Sequence, residues 1–123
     1  MKSLLLSICL LFSTQAFSLE NTTDAKFVEQ TKQLTGVVYY SATWCPYCTK
    51  MEPIVKKMEQ EFKQLKFLKL DVDESPKYGA IATSLPFMVF YKNGKILGAA
   101  PGYAPEETVR NFFKEFVEAE DIN

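Results

Sequence analysis

Histidine is absent from this chain of 123 residues, which also contains only one tryptophan and three cysteines. The lack of histidine excludes Ser-His and Cys-His catalysis, histidine metal sites and haem attachment through Cys-x-x-Cys-His. Charge of one sign is not concentrated anywhere either. The formal net charge is −1, and the basic stripe typical of nucleic-acid-binding proteins is missing. No nucleic-acid partner is therefore expected, and the cysteines remain as the candidates for chemistry.

The first eighteen residues differ in pattern from the rest of the chain. Lys2 gives a positive start, residues 4–12 form a short apolar run, and residues 16–18 have the small-x-small pattern of a cleavage site. The apolar run is shorter than the ~20 residues that a membrane-spanning helix needs. The pattern predicts a signal peptide over residues 1–18 and one mature domain over residues 19–123. A buried helix of the folded domain is the alternative interpretation.

The mature chain is predicted to alternate helices and strands in the order α-β-α-β-α-β-β-α. The polar residues 21–24 would cap the first helix. Pro53 would kink the second helix, and Asn93-Gly94 is typical of a tight hairpin. The predicted helices cover 24–35, 46–64, 77–82 and 105–119, and the predicted strands cover 37–40, 67–72, 87–91 and 96–100. This order indicates an α/β fold in which a central mixed sheet is flanked by helices. Parallel βαβ units come first, followed by an antiparallel hairpin and a C-terminal helix.

Two cysteines remain once Cys9 is removed with the predicted signal peptide. Cys45 and Cys48 are separated by two residues and lie where a predicted strand meets a predicted helix. The unpaired amides at a helix N-terminus stabilise a thiolate, so Cys45 can attack a substrate disulfide. The short spacing lets Cys48 attack the resulting mixed disulfide. The arrangement predicts thiol–disulfide exchange.

Three other interpretations of the cysteine pair remain open. A zinc half-site would need ligands from a second chain, because the mature chain has no other cysteine and no histidine. A purely structural disulfide would close a very small loop and stabilise little. The cysteine pair could also have no catalytic role, in a partner-binding module.

Several spaced motifs resemble the thioredoxin superfamily over residues 24–119. Residues 42–48 resemble the active-site segment, and residues 69–73 resemble the second central strand. Leu85-Pro86 resembles the cis-proline loop, residues 92–95 the hairpin, and Gly102 a glycine near the substrate groove. Agreement of these motifs in order is far more specific than any one of them. The resemblance implies a thioredoxin fold.

The resemblance also implies roles for individual residues. Cys45 would be the exposed nucleophile and Cys48 the buried resolving thiol. Pro86 would be cis, which offers the backbone of Leu85 to an extended substrate and denies a metal ion access to the cysteines. The residues expected to line the substrate groove are Trp44, Pro46, Tyr47, Leu85, Pro86 and Gly102. For Trp44 an ordinary half-buried core position is the alternative.

The sequence departs from the family at two places. Typical thioredoxins bury an Asp six residues before the first cysteine, where it helps to accept the proton of the second. Tyr39 stands there, and a tyrosine with an ordinary pKa near 10 cannot be a base at neutral pH. Lys69 is expected to tune a thiolate or to be solvated, with proton transfer through water. The Pro46-Tyr47 dipeptide is of the glutaredoxin type, which predicts a reduction potential between those of strong reductants and strong oxidants.

These expectations combine into one predicted function. The chain would be a thiol–disulfide oxidoreductase that acts on protein disulfides, most simply as a monomeric reductase exported to a bacterial periplasm. It would need no bound cofactor and no metal, and by analogy with the family it would receive electrons from a membrane donor. The alternatives are a disulfide-introducing oxidase and a partner-binding module without turnover.

Overall fold

The computed structural model describes residues 19–123. The predicted signal peptide, with Cys9, lies outside the described residues. Five strands and four helices follow one another along the described chain. They are β1 (Glu20–Thr22), α1 (Phe27–Thr31), β2 (Gly36–Ser41), α2 (Pro46–Glu61), β3 (Lys66–Asp71), α3 (Pro76–Gly79), β4 (Phe87–Lys92), β5 (Lys95–Pro101) and α4 (Glu106–Ala119). Across residues 19–123 no helix combines the length and the apolar character needed to cross a membrane.

The five strands form one mixed sheet in the order β1-β3-β2-β4-β5. Strands β1 and β2 each pair in parallel with β3, whereas β4 runs antiparallel to both β2 and β5. Parallel βαβ units followed by an antiparallel hairpin and a C-terminal helix were predicted from the sequence. The structure confirms this architecture, with Pro53 inside α2 as expected.

The N-terminal segment differs from the prediction in two respects. Residues 20–22 are not cap residues but form β1 at the edge of the sheet, and the first helix contains only five residues. Asp24 caps a different helix, since its carboxylate accepts hydrogen bonds of 2.9 Å from the backbone N–H groups of Lys77 and Tyr78 in α3. The prediction that residues 21–24 cap the first helix is wrong, because the N-cap of α1 is Lys26, without a side-chain hydrogen bond. The helix that Asp24 caps lies more than 50 residues further along the chain.

The core lies on both faces of the sheet. Strand β2 is buried along its whole length, and because successive side chains point to opposite faces, Val37 and Tyr39 contribute to one layer while Val38 and Tyr40 contribute to the other. Helices α2 and α4 cover the first layer, where Phe113 is fully buried. This double burial explains why β2 reads as an uninterrupted apolar run.

The chain segments of the candidate site lie together at one end of the strands. The last residue of β2, Ser41, pairs with Asp71 at the end of β3, and the first residue of β4, Phe87, lies opposite Tyr40 and Pro101. Four loops therefore emerge at this end of the strands: those before α2, after β3, before β4 and after β5. Residues far apart in sequence meet there.

Candidate active site

Cys45 and Cys48 form a disulfide at the N-terminus of α2. Cys45 is the N-cap residue in an extended conformation, and its Sγ accepts a hydrogen bond of 3.2 Å from the backbone N–H of Cys48. Pro46 occupies the first turn, where the N–H that it lacks would have had no helical partner. The Cα atoms of the two cysteines are 5.2 Å apart. After reduction, the same N–H group and the helix dipole favour a negative charge on Cys45.

The two sulfur-bearing residues differ in burial, but less than the sequence suggested. Cys45 is 5% exposed and Cys48 only 1%. The prediction that Cys45 is exposed is wrong for this oxidised state, because Ala42, Val72 and Leu85 pack around the disulfide. Cys45 instead lines a cleft of about 350 Å³ between the start of α2 and the loop before β4. Any partner of this sulfur therefore has to reach it along that cleft.

An exposed aromatic residue directly precedes each cysteine in the sequence. Trp44 is 65% exposed, and its Nε1 donates a hydrogen bond of 2.6 Å to Asp73. The alternative of a half-buried core tryptophan is therefore wrong. Tyr47 is 57% exposed and lies beside Tyr103, with ring centroids 5.9 Å apart and the Lys50 ammonium close to both rings. Tyr103 was not anticipated, although its position directly after Gly102 was the available signal.

The loop before β4 closes the site from the other side. The Leu85–Pro86 peptide bond is cis, as the family resemblance implied. The backbone N–H of Gly102 donates a hydrogen bond of 2.7 Å to the Pro86 carbonyl oxygen, which holds the two loops together. Gly102 has φ 81°, and a Cβ at this position would point into open space. A left-handed conformation explains why glycine is favoured here.

A second cavity lies on the Cys48 side of the helix, with a volume of about 240 Å³. The residues that line it are Ser41, Ala42, Thr43, Cys48, Thr49, Glu52, Lys69 and Asp71. Lys69 is not a freely solvated strand lysine, because its Nζ lies 2.7 Å from Glu52 Oε1 and each side chain is 26% exposed. Sequence reasoning missed Glu52, although its spacing of four residues from Cys48 places the two on the same helix face.

Tyr39 also contacts the cysteine motif, at the position where a family member would carry Asp. Its ring is fully buried, and its hydroxyl donates a hydrogen bond of 3.0 Å to the carbonyl oxygen of Cys48. Burial, with a smaller contribution from the charge of Glu52, raises the pKa of Tyr39 well above its ordinary value. Tyr39 therefore stays neutral at any physiological pH, in agreement with the expectation that it is not a base.

Within residues 19–123, no three or more His, Cys, Asp or Glu side chains are grouped so that they could hold a metal ion. The two cysteines are bonded to each other. Among the acidic residues around the site, Asp73 accepts a hydrogen bond from Trp44, and Glu52 pairs with Lys69. The redox-active group that the structure shows at this site is the Cys45–Cys48 disulfide.

Known proteins resemble this chain over almost all of the described region. The family model described as Thioredoxin matches residues 18–115. Thioredoxin from Listeria monocytogenes is 30% identical over 100 residues, which cover 77% of this chain and 95% of that protein. Mitochondrial thioredoxin-3 from Saccharomyces cerevisiae is 34% identical over 95 residues, covering 75% of this chain and 73% of that protein.

Solved structures give the same result for the fold. The crystal structure of oxidised mitochondrial thioredoxin 3 from Saccharomyces cerevisiae matches with a TM-score of 0.71 and 31% identity, covering 79% of this chain and 94% of that one. Thioredoxin from Plasmodium falciparum matches with a TM-score of 0.73 at 24% identity, which bears on the fold alone. The predicted thioredoxin fold is confirmed, and the matched residues include both cysteines, the cis-Pro86 loop and Gly102.

Proposed function

This chain belongs to the thioredoxin family, and we propose that it is an exported protein-disulfide reductase of a bacterial periplasm. The coarser activity follows from the family and from the Cys45–Cys48 pair: the chain is a thioredoxin-like protein-disulfide oxidoreductase. The observation that carries the oxidoreductase activity is the disulfide at the N-terminus of α2, where Sγ of Cys45 accepts a hydrogen bond from the Cys48 N–H and lines an open cleft. The signal-peptide pattern over residues 1–18 supports export.

The two cysteines carry the electrons in the reaction. In the reduced protein the Cys45 thiolate attacks one sulfur of a substrate disulfide, which forms a mixed disulfide and releases the other substrate sulfur as a thiolate. Cys48 loses its proton and attacks Cys45 Sγ, so the Cys45–Cys48 bond forms and the second substrate sulfur leaves. Two electrons pass from the protein to the substrate, and each released thiolate takes a proton from water. No bound cofactor or metal takes part in these steps.

Substrate binding is assigned to the surfaces beside the cysteine pair. An extended substrate segment would lie along the cleft next to Cys45, against the partly exposed Leu85 and the cis-Pro86 loop. The open space beside Gly102 leaves room for a substrate backbone. Exposed Trp44, Pro46 and Tyr47 would contact the substrate side chains. The side chains at this surface are mostly apolar.

The direction of electron flow is assigned from the sequence of the motif. The chain has no histidine, so no imidazolium between the cysteines can stabilise the Cys45 thiolate to the extent that a strong oxidant requires. The Pro46-Tyr47 dipeptide favours a potential near those of glutaredoxins, about −200 to −230 mV. A reductase in the oxidising periplasm has to be kept reduced, so a membrane electron donor is part of the proposal.

Insulin reduction with wild type and Cys45→Ser tests the proposal. Wild type should accelerate precipitation of reduced insulin in the presence of dithiothreitol, and Cys45→Ser should give only the background rate. Glu118→Gln, at an exposed position of α4, is the control and should retain full activity. Equal partner binding by wild type and Cys45→Ser without turnover in either would establish a binding module instead. Faster oxidation of a reduced protein than reduction of insulin, with a potential near −120 mV, would establish an oxidase.

Export has a separate test. Protein recovered from the periplasmic fraction of the source cells should begin at Leu19, because cleavage is proposed after residue 18. It should also elute as a monomer on size-exclusion chromatography. Full-length protein confined to the cytoplasmic fraction would contradict the proposed location without affecting the oxidoreductase activity. Trapping with Cys48→Ala would identify the substrates and the electron donor, since Cys45 should remain joined to them as mixed disulfides.

A further inference from the structure

Resolution of the mixed disulfide requires that Cys48 lose its proton. A thiol with an ordinary pKa near 8.5 is mostly protonated at neutral pH, and only the thiolate attacks. Cys48 is 1% exposed, so bulk water does not reach it freely. Tyr39, the buried polar residue against Cys48, is committed to donating its hydrogen to the Cys48 carbonyl oxygen and cannot accept a proton. Another group has to take the Cys48 proton.

Glu52 has the position and the surroundings for this task. It follows Cys48 by one helical turn on α2 and lines the same cavity of about 240 Å³. The cavity has room for several water molecules and presents polar groups of Ser41 and Thr49 as well as the carboxylate. One Glu52 oxygen lies 2.7 Å from Lys69 Nζ, which fixes the carboxylate at the cavity wall.

We propose that Glu52 accepts the Cys48 proton through water in this cavity, and that Lys69 positions the Glu52 carboxylate. The inference rests on the proposed function and concerns its second step. The Cys48 S–H proton passes through water to Glu52, the Cys48 thiolate attacks Cys45 Sγ, and the substrate sulfur leaves with the electron pair of the broken bond. When the disulfide is reduced again, Glu52 returns the proton to Cys48 as its sulfur leaves.

The charged groups that face Glu52 are consistent with this role. Lys69 approaches from β3, and Lys56 from the next turn of α2 with Nζ 3.5 Å from Oε2. Tyr39 approaches from β2 and remains neutral. Asp71 is the other carboxylate of the cavity, but its Oδ1 accepts hydrogen bonds from the backbone N–H groups of residues 73 and 74. Asp71 is therefore engaged in the loop after β3. Glu52 is the carboxylate that a lysine holds in the cavity lined by Cys48.

Reaction with 5,5′-dithiobis(2-nitrobenzoate) separates the two steps. Attack by Cys45 releases one equivalent of thionitrobenzoate, and attack by Cys48 on the mixed disulfide releases a second. For Glu52→Gln we expect the second release to be about tenfold slower than in wild type at pH 6–7. This loss is smaller than the 10²–10⁴ of a well-matched general base, because a carboxylate is a weak base for a thiol. The two rates should converge above about pH 8.5, where hydroxide removes the proton.

Two controls isolate the role of Glu52. In the Cys48→Ala background, Glu52→Gln should leave the first release unchanged within twofold, because Glu52 acts on Cys48. Asp71→Asn, which removes the other carboxylate charge of the cavity, should leave the second release unchanged. The inference is overturned if Glu52→Gln resolves at the wild-type rate, if it is slowed equally at every pH, or if Asp71→Asn has the same effect. Wild type that releases no second equivalent would overturn the proposed function as well.

Discussion

The Tyr39 hydroxyl donates a hydrogen bond of 3.0 Å to the carbonyl oxygen of Cys48. This contact joins the central strand β2 to the first turn of α2, and both residues are almost completely buried. It fixes the resolving cysteine relative to the sheet without offering a group that can accept a proton. At the position that carries an acidic residue in typical family members, this chain has a tyrosine that holds Cys48 in place against the sheet.

Tyr39→Phe should therefore affect stability and leave proton transfer unchanged. Loss of one buried hydrogen bond should lower the free energy of unfolding by about 1 kcal/mol, measured by urea denaturation. The pH profile of mixed-disulfide resolution should match that of wild type, because the raised pKa of Tyr39 keeps the hydroxyl neutral throughout the measurable range. A shift of that profile in the variant would show that the hydroxyl takes part in the proton transfer.

The sequence predicted those parts of the fold that local patterns specify. The apolar run in β2, the Asn93-Gly94 hairpin and the apolar face of α4 are each explained by residues adjacent in the chain or one helical turn apart. Strand β1 was missed because residues 20–22 carry no apolar alternation, and they form a strand only by pairing with β3. The capping of α3 by Asp24 was missed for the same reason, since it depends on contacts across the fold.

In the site, too, the features set by neighbouring residues could be predicted, and those set by contacts across the fold could not. The chemistry of Cys45 and Cys48 could be predicted because both residues belong to one turn of helix. The Glu52–Lys69 pair could not, because the partners lie on α2 and β3 and meet only when the helix packs on the sheet. The burial of Cys45 was likewise set by Leu85, which comes from a loop 40 residues away in the chain.

Trp44→Ala should weaken substrate reduction without destabilising the fold. The side chain is 65% exposed, so the free energy of unfolding should change by less than about 0.5 kcal/mol. The kcat/KM for insulin should fall roughly tenfold, mainly through KM, because exposed aromatic side chains contribute strongly to binding. Leu97→Ala is the matched control, since Leu97 is 44% exposed on β5, near its hairpin end. Equal losses of activity in both variants would argue against a role of Trp44 in substrate binding.

Glu59→Gln should stabilise the protein at neutral pH. Glu59 Oε1 is buried without a hydrogen-bond partner among the described residues, and burial raises the pKa of this carboxyl despite the nearby charges of Lys56 and Lys66. A raised pKa means that the folded state binds the Glu59 proton more tightly than the unfolded state does. The free energy of unfolding therefore falls as pH rises from the ordinary carboxyl pKa through the raised pKa of the folded state. The substitution should add roughly 0.5–1 kcal/mol at pH 7.

The gain from Glu59→Gln should disappear near pH 3, where the carboxyl is protonated in both states. Urea denaturation at pH 3 and pH 7 measures the difference. Glu118→Gln, at an exposed position of α4, is the control and should show no comparable change with pH. A gain of the same size at both pH values would indicate that helix propensity, and not removal of the buried charge, is responsible.

Arg110→Met should remove an electrostatic link between α2 and α4. The Arg110 guanidinium contacts Glu61 on α2 at 2.6 Å and Glu106 on its own helix at 2.8 Å. Hydrogen bonds from Arg110 hold the pKa values of both carboxyls below their ordinary range. At a pH between the lowered and the ordinary pKa values, the folded state therefore binds fewer protons than the unfolded state. The Arg110 ion pairs contribute their full stabilisation above the ordinary carboxyl pKa, and this stabilisation is lost as pH falls through the lowered pKa values.

Wild type should consequently exceed Arg110→Met in stability most clearly at pH 7, and the difference should shrink towards pH 2. Added salt should also reduce the difference, because exposed ion pairs are screened. Lys57→Met is the matched control. Lys57 pairs with Glu106 at 3.0 Å, whereas Arg110 contacts both Glu61 and Glu106, so the effect of Lys57→Met should be smaller with the same sign of pH dependence. Thermal unfolding at pH 2, 4 and 7 measures all three proteins. A difference that stays constant across this range would assign the effect to the packing of the Arg110 stem, because apolar contacts do not titrate.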